Sequence, residues 1–137
     1  MPAIVVGYDG SDAGRAALDT ALGVGHLLGD RVIVVFAYEV SRLGGEVPDY
    51  AKALRERAEE VMSHARHHAE AQQVPIEAEI VEQDPAQALV DVANQHDARM
   101  IVVGSLGERP LKGVVVGSTP YRLLHIADRP VLVVPTA

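Results

Sequence analysis

Five short apolar runs punctuate the chain at Ala3–Gly7, Val32–Tyr38, Ile76–Val81, Met100–Val103 and Val131–Val134, and a segment with helical spacing separates each from the next. Runs of this length, rich in valine and isoleucine, read as strands. Val32–Tyr38 is apolar throughout and β-branched, the pattern of a strand buried on both faces. Ile76–Val81 instead alternates apolar residues with Glu77 and Glu79, which predicts one wetter face and a place at the sheet edge. Strands alternating with helices imply a parallel sheet covered on both faces and joined by right-handed crossovers. The expected fold is thus a single α/β domain over residues 1–137, without an internal repeat or linker.

The helices carry their own punctuation. Ser11 is a candidate N-cap for a helix over about 12–28, with Ala16, Ala17, Ala21, Val24, Leu27 and Leu28 at helical spacing and Gly29 closing it. A long amphipathic helix is expected from Asp49 to about Gln73, with Tyr50, Leu54, Ala58, Val61, Ala65 and Ala69 along one face. Asp84-Pro85 opens a third helix over about 85–96, with Ala88, Leu89, Val92 and Ala93 inward. A fourth should begin at about Thr119-Pro120 and run to Ile126.

Between the fourth strand and that last helix lies GSLGERPLKGVVVGS, residues 104–118. Gly104 and Gly107 follow the strand, and Gly117 leads directly into Ser118, Thr119 and Pro120. Strand, glycine loop and helix N-terminus together make a seat for an anion. Glycine lets backbone approach a phosphate, and the free N–H groups and positive dipole end of the helix face it. In sheets of this kind ligands sit at the carboxyl ends of the strands, where the strand order reverses. The alternative reading is that these are ordinary turn glycines.

Charge narrows the ligand. The 137 residues carry 12 basic and 19 acidic side chains, a formal net charge of −7, which argues against nucleic-acid or anionic-membrane partners. Between 104 and 129 the balance reverses, with Arg109, Lys112, Arg122 and Arg129 facing only Glu108 and Asp128. A basic patch in an acidic chain suits a small anion. One Phe, four Tyr and no Trp argue against a base-stacking platform. The absence of cysteine removes disulfides and thiolate chemistry. No apolar run approaches the ~20 residues of a membrane span, and no signal pattern opens the sequence, so a cytoplasmic location is expected.

Other motifs fall away. There is no G-x-x-x-x-G-K-[ST], and Gly23-Val24-Gly25 precedes a strand instead of following one, with Leu28 at the third glycine position. Asp9 closes the first strand at the same sheet end as Gly104; it serves either the Asp-Gly turn or contact with a nucleotide or Mg²⁺. His64, His67 and His68 share one helix face without converging ligands elsewhere, which reads as a solvated face and not a metal site. His125, near the last helix end, reads as a dipole-complementing or packing residue. No Gly-x-Ser-x-Gly, cysteine or Ser/His pair offers a nucleophile, and no catalytic residue is assigned.

The spacing Gly104-x2-Gly107-x9-Gly117-Ser118 resembles the G-x2-G-x9-G-[ST] nucleotide motif of the universal stress protein family. The opening IVVGYDGSDAGRAAL and the closing STPYRLLHIADRPVLVV resemble that family's flanks. The resemblance implies a Rossmann-like domain of the adenine nucleotide alpha hydrolase kind, strand order 3-2-1-4-5, with ATP and Mg²⁺ where strands one and four diverge. It places Asp9 by the adenosine and Ala37 at the adenine. Val103 and Gly104 would flank ribose and phosphates, and Gly107, Gly117, Ser118 and Thr119 would hold the phosphates. It also implies a homodimer paired through Val131–Val134. Gln83-Asp84-Pro85, where relatives often carry glycine, and Arg109-Pro110 within the loop depart from the pattern.

The expected function is an ATP-binding stress or signalling protein with little or no turnover. A slow ATPase or phosphoryl transferase is one alternative, with Asp9 on the metal and Lys112 or Arg109 on the γ-phosphate. A dimeric interaction module using the 41–47 loop is another, and cyclic AMP or another adenine nucleotide in place of ATP a further one.

Overall fold

The computed structural model describes residues 2–39, 48–105 and 118–136. Nine elements follow in the order β1 (Ala3–Gly7), α1 (Asp12–Leu28), β2 (Arg31–Tyr38), α2 (Pro48–Ala71), β3 (Ile76–Glu82), α3 (Pro85–Gln95), β4 (Met100–Gly104), α4 (Ser118–Ile126) and β5 (Val131–Val134). The strands form one parallel sheet in the order β3-β2-β1-β4-β5, as expected. The order reverses between β1 and β4, paired from Ile4↔Met100 to Val6↔Val102.

Two cores flank the sheet. Alternate residues of β1 and β2 point opposite ways. Ile4, Val6, Val32 and Val34 therefore pack beneath α1 and α2, whereas Val5, Ile33 and Val35 pack beneath α3 and α4. The wet alternation of Ile76–Val81 does mark an edge, and β5 forms the other.

Local chemistry sets the helix ends. The Ser11 hydroxyl accepts from Gly14 N at 3.1 Å, and Gly29 closes α1 in the left-handed region at φ 71°. The buried face of α1 is Ala13, Gly14, Ala17, Leu18, Ala21, Leu22 and Gly25. Leu27 and Leu28, expected inward, are exposed instead, at 82% and 46%. Leu27 lies two positions past Gly25, about 200° round the helix, and so points away from the sheet. On α2 the seam is Ala58, Val61, Met62, Ala65 and Ala69, while Tyr50 is half exposed. All four residues expected inward on α3 are buried.

Arg99 and Asp30 tie the amino-terminal sheet edge together. Their contact is bidentate at 2.6 and 3.1 Å, with the Asp30 side chain 1% exposed.

Candidate functional site

At the carboxyl edge of the sheet a cleft opens over the β1–β4 reversal, with about 700 Å³ of empty volume including its solvent-open mouth. Its described lining comes from five places. Gly7, Tyr8, Asp9, Ser11 and Gly14 form one wall, Val35 and Ala37 of β2 the far end, and Pro85 and Leu89 of α3 the opposite wall. Val103 and Gly104 of β4 and Ser118, Thr119 and Pro120 of α4 complete it. A floor of aliphatic side chains with the N-termini of α1, α3 and α4 at its rim suits a ligand with a flat apolar part and an anionic part.

The wall after β1 is built by a short hydrogen-bonded turn. Tyr8 N donates to Val35 O at 3.0 Å, continuing the β1–β2 ladder one residue beyond the strand. Asp9 Oδ1 then accepts from Ser11 N at 2.9 Å and from the Ser11 hydroxyl at 2.5 Å. Gly10 takes φ 84°, a conformation that costs a side chain about 1 kcal/mol or more. Asp9 thus performs the turn chemistry expected of an Asp-Gly pair while lining the cleft; the first role does not displace the second, because one oxygen carries both bonds. Burial pushes the Tyr8 phenol above its ordinary value of about 10.

Two glycines here serve packing. A Cβ at Gly14 would lie 2.8 Å from Asp9 Oδ1, so the turn and α1 can meet only without one. A Cβ at Gly104 would lie 2.6 Å from Ala13 O and 2.8 Å from both Ala13 C and Ala13 Cβ. The glycine that ends β4 therefore lets α1 sit down on the strand, a requirement independent of any phosphate. The loop's other expected residues, Gly107 and Gly117, lie outside the described residues, as do Glu108, Arg109, Lys112 and the 41–47 loop.

Six of the eight expected site residues, Asp9, Ala37, Val103, Gly104, Ser118 and Thr119, come together in this one cleft. Helix α4 begins at Ser118, one residue before the expected start. Of the four basic residues in the 104–129 segment, Arg122 and Arg129 lie within the described residues. Arg122 pairs with Asp84. Arg129 lies at the opposite sheet edge, donating to Ala93 O at 2.9 Å, Ala98 O at 2.8 Å and Asn94 Oδ1 at 2.5 Å. Both of these arginines are thus engaged within the fold. His64, His67 and His68 are exposed, with His68 against Asp19. His125 packs edge-on to Tyr121, ring centroids 5.0 Å apart. Among the described residues no three His, Cys, Asp or Glu side chains cluster to hold a metal. No helix of the described residues is long and apolar enough to cross a membrane.

A model of the Universal stress protein family matches residues 1–135. The chain belongs to the universal stress protein family. Within that family it is 35% identical to a universal stress protein of Thermus aquaticus, over 96% of each chain. It is 30% identical to the stress response protein NhaX of Bacillus subtilis, again over 96% of each. Among solved structures it superposes on a universal stress protein crystallised in complex with cAMP, with TM-score 0.80, 27% identity and coverage of 99% and 98%. A universal stress protein from Archaeoglobus fulgidus gives TM-score 0.76 at 26% identity, covering 98% of this chain and 93% of that one.

In this universal stress protein, sequence reasoning missed several lining residues as site residues: Gly7, Tyr8, Ser11, Gly14, Val35, Pro85, Leu89 and Pro120. Tyr8 and Ser11 flank Asp9 and were readable as its neighbours. The apolar patterns of Leu89 and Val35 read as core, and their part in the cleft follows from the α3 crossover, which no local pattern displays.

Proposed function

We propose that this family member binds an adenine nucleotide, ATP with Mg²⁺, in the cleft and acts as a nucleotide-dependent stress or signalling protein with little or no turnover. The observation that carries the proposal is the single cleft joining the carboxyl ends of β2, β1 and β4 to the N-terminus of α4. Val35 and Ala37 offer the adenine an apolar slot, and Asp9 has a second carboxylate oxygen for the ribose. Val103 and Gly104 flank ribose and phosphates. Gly107, Gly117, Ser118 and Thr119 take the phosphates, with the α4 dipole favouring negative charge. Mg²⁺ would draw most of its oxygens from the phosphates and water, its usual arrangement where protein carboxylates are few.

The neighbour solved with cAMP supports an adenine nucleotide as the ligand class. The titratable side chains of the described lining are Asp9, whose Oδ1 is held in its turn, and Tyr8, whose phenol burial keeps protonated. The protein would be a single domain over residues 1–137, cytoplasmic, and dimeric through β5, an apolar edge strand on which Leu132 is 38% exposed.

The test is calorimetric titration of nucleotide-stripped protein with Mg-ATP and cAMP, beside identification of whatever nucleotide copurifies. Saturable Mg-ATP binding, abolished by Ala37→Phe and by Gly117→Val with the fold intact, is expected. Equal affinity in both variants would refute the placement. Steady phosphate release lost in Asp9→Ala would replace the binding protein with a slow ATPase.

A further inference from the structure

Asp84 occupies a junction. Its carboxylate caps α3, accepting from Gln87 N at 3.1 Å, and the same oxygen pairs with Nη1 of Arg122 on α4. Its chain neighbour Pro85 lines the cleft, as do Ser118, Thr119 and Pro120, and Arg122 stands one turn beyond Ser118. The cap thus puts a negative charge at the rim of the cleft end that the proposed function assigns to phosphates. A carboxylate there opposes an anion, although capping needs no charge, since asparagine caps as well. The sequence places Asp where Asn or Ser would serve the helix. Among the described residues Arg122 is the side chain that pairs with it and offsets its charge, with 28% of the Asp84 side chain and 47% of the Arg122 side chain exposed.

We infer that Arg122 is a specificity-determining positioning residue, which masks the Asp84 carboxylate so that the cleft accepts a nucleotide in proportion to its phosphate charge. The inference rests on the adenine-nucleotide reading of the cleft and deepens it. Arg122 need not touch the ligand. Its effect passes through Asp84, and discrimination of AMP and Mg-ATP from adenosine depends on whether that carboxylate is covered.

The experiment measures binding of adenosine, AMP and Mg-ATP to the wild-type chain, Arg122→Gln, Asp84→Asn and the double variant. Arg122→Gln should weaken Mg-ATP and AMP, which carry similar net charge, each roughly 5-fold at about 0.1 M salt, leave adenosine within about 2-fold, and fade at about 1 M salt. The double variant should restore Mg-ATP to within about 2-fold of wild type, because nothing remains to mask. Asp84→Asn alone should bind Mg-ATP at least as well as wild type. Equal losses for all three ligands would make the pair merely structural and overturn the inference. A double variant as weak as Arg122→Gln would also overturn it, showing that Arg122 meets phosphate directly. A wild-type chain that binds none of the three ligands would overturn the adenine-nucleotide reading itself, and the inference with it.

Discussion

Replacing Gly104 by alanine would put a methyl carbon 2.6 Å from Ala13 O and 2.8 Å from Ala13 C and Cβ. Ordinary contact between such atoms begins at about 3.5 Å, so a gap of roughly 0.7–0.9 Å must open between β4 and α1. Two of the three obstructing atoms belong to backbone and cannot rotate away. Overpacking of this kind costs about 1–3 kcal/mol, and the rigid obstruction points to the upper half of that range. For a chain of this size a loss of about 2–3 kcal/mol lowers Tm by roughly 6–15 °C. Urea denaturation and scanning calorimetry would read it. Two glycines of α1 supply controls. At Gly25 a Cβ would meet a single atom closer than 3 Å, Cγ2 of the buried Val32 at 2.6 Å, and alanine's helix propensity offsets part of the cost, so alanine there should destabilise less than at 104. At Gly23 nothing lies within 4 Å, and alanine should stabilise by about 0.5–1 kcal/mol through helix propensity. If Gly104→Ala kept the wild-type midpoint while losing nucleotide affinity, the glycine would serve the ligand and the packing argument would fall.

Tyr8→Phe should flatten the alkaline limb of stability. The raised folded value means that the neutral phenol favours the folded state below pH 10, a contribution lost as pH climbs from 10 through the folded value, which denaturation midpoints between pH 8 and 11 would follow. Arg99→Met should lower the urea midpoint more than Asp30→Ala combined with Arg99→Met, because the single change strands a carboxylate that is 1% exposed. Val133→Pro should give monomers by light scattering while preserving the circular dichroism of the wild type. The bonds Ile101 N to Pro130 O and Ser105 N to Val134 O place residues 130, 132 and 134 toward β4, so the Val133 N–H faces outward. A dimer that survived this change would have to be joined elsewhere.

How far the sequence could be read depended on the range of the interaction concerned. Ser11, Asp84-Pro85 and Gly29 act within four residues, and each marks a helix end where expected. Ile76–Val81 showed its edge position because solvent acts on every other side chain of one strand. Gly104 was read as a phosphate glycine because the strand–glycine–helix pattern is local, whereas its obstruction by Ala13 lies 91 residues away along the chain. The same distance problem hid the partners of Arg122 and Arg129, at Asp84 and at Ala93–Ala98. Leu27 and Leu28 misled for a different reason. Leucine at helical spacing fits more than one stripe, and the glycines at 14 and 25 chose which stripe met the sheet.

The alanine seam of α2 has a dynamic consequence. A helix of 24 residues held down by Ala58, Ala65 and Ala69 with Val61 and Met62 buries little apolar area per turn, and it neighbours β3, an edge strand with charged residues on its wetter face. This pair should form the first cooperative unit to open under native conditions, exchanging its amide hydrogens well before β1 and β4. Hydrogen exchange would then divide the molecule along β2, with a labile flank on one side and, on the other, the slowly exchanging strands that lead into Asp9 and carry Val103 and Gly104.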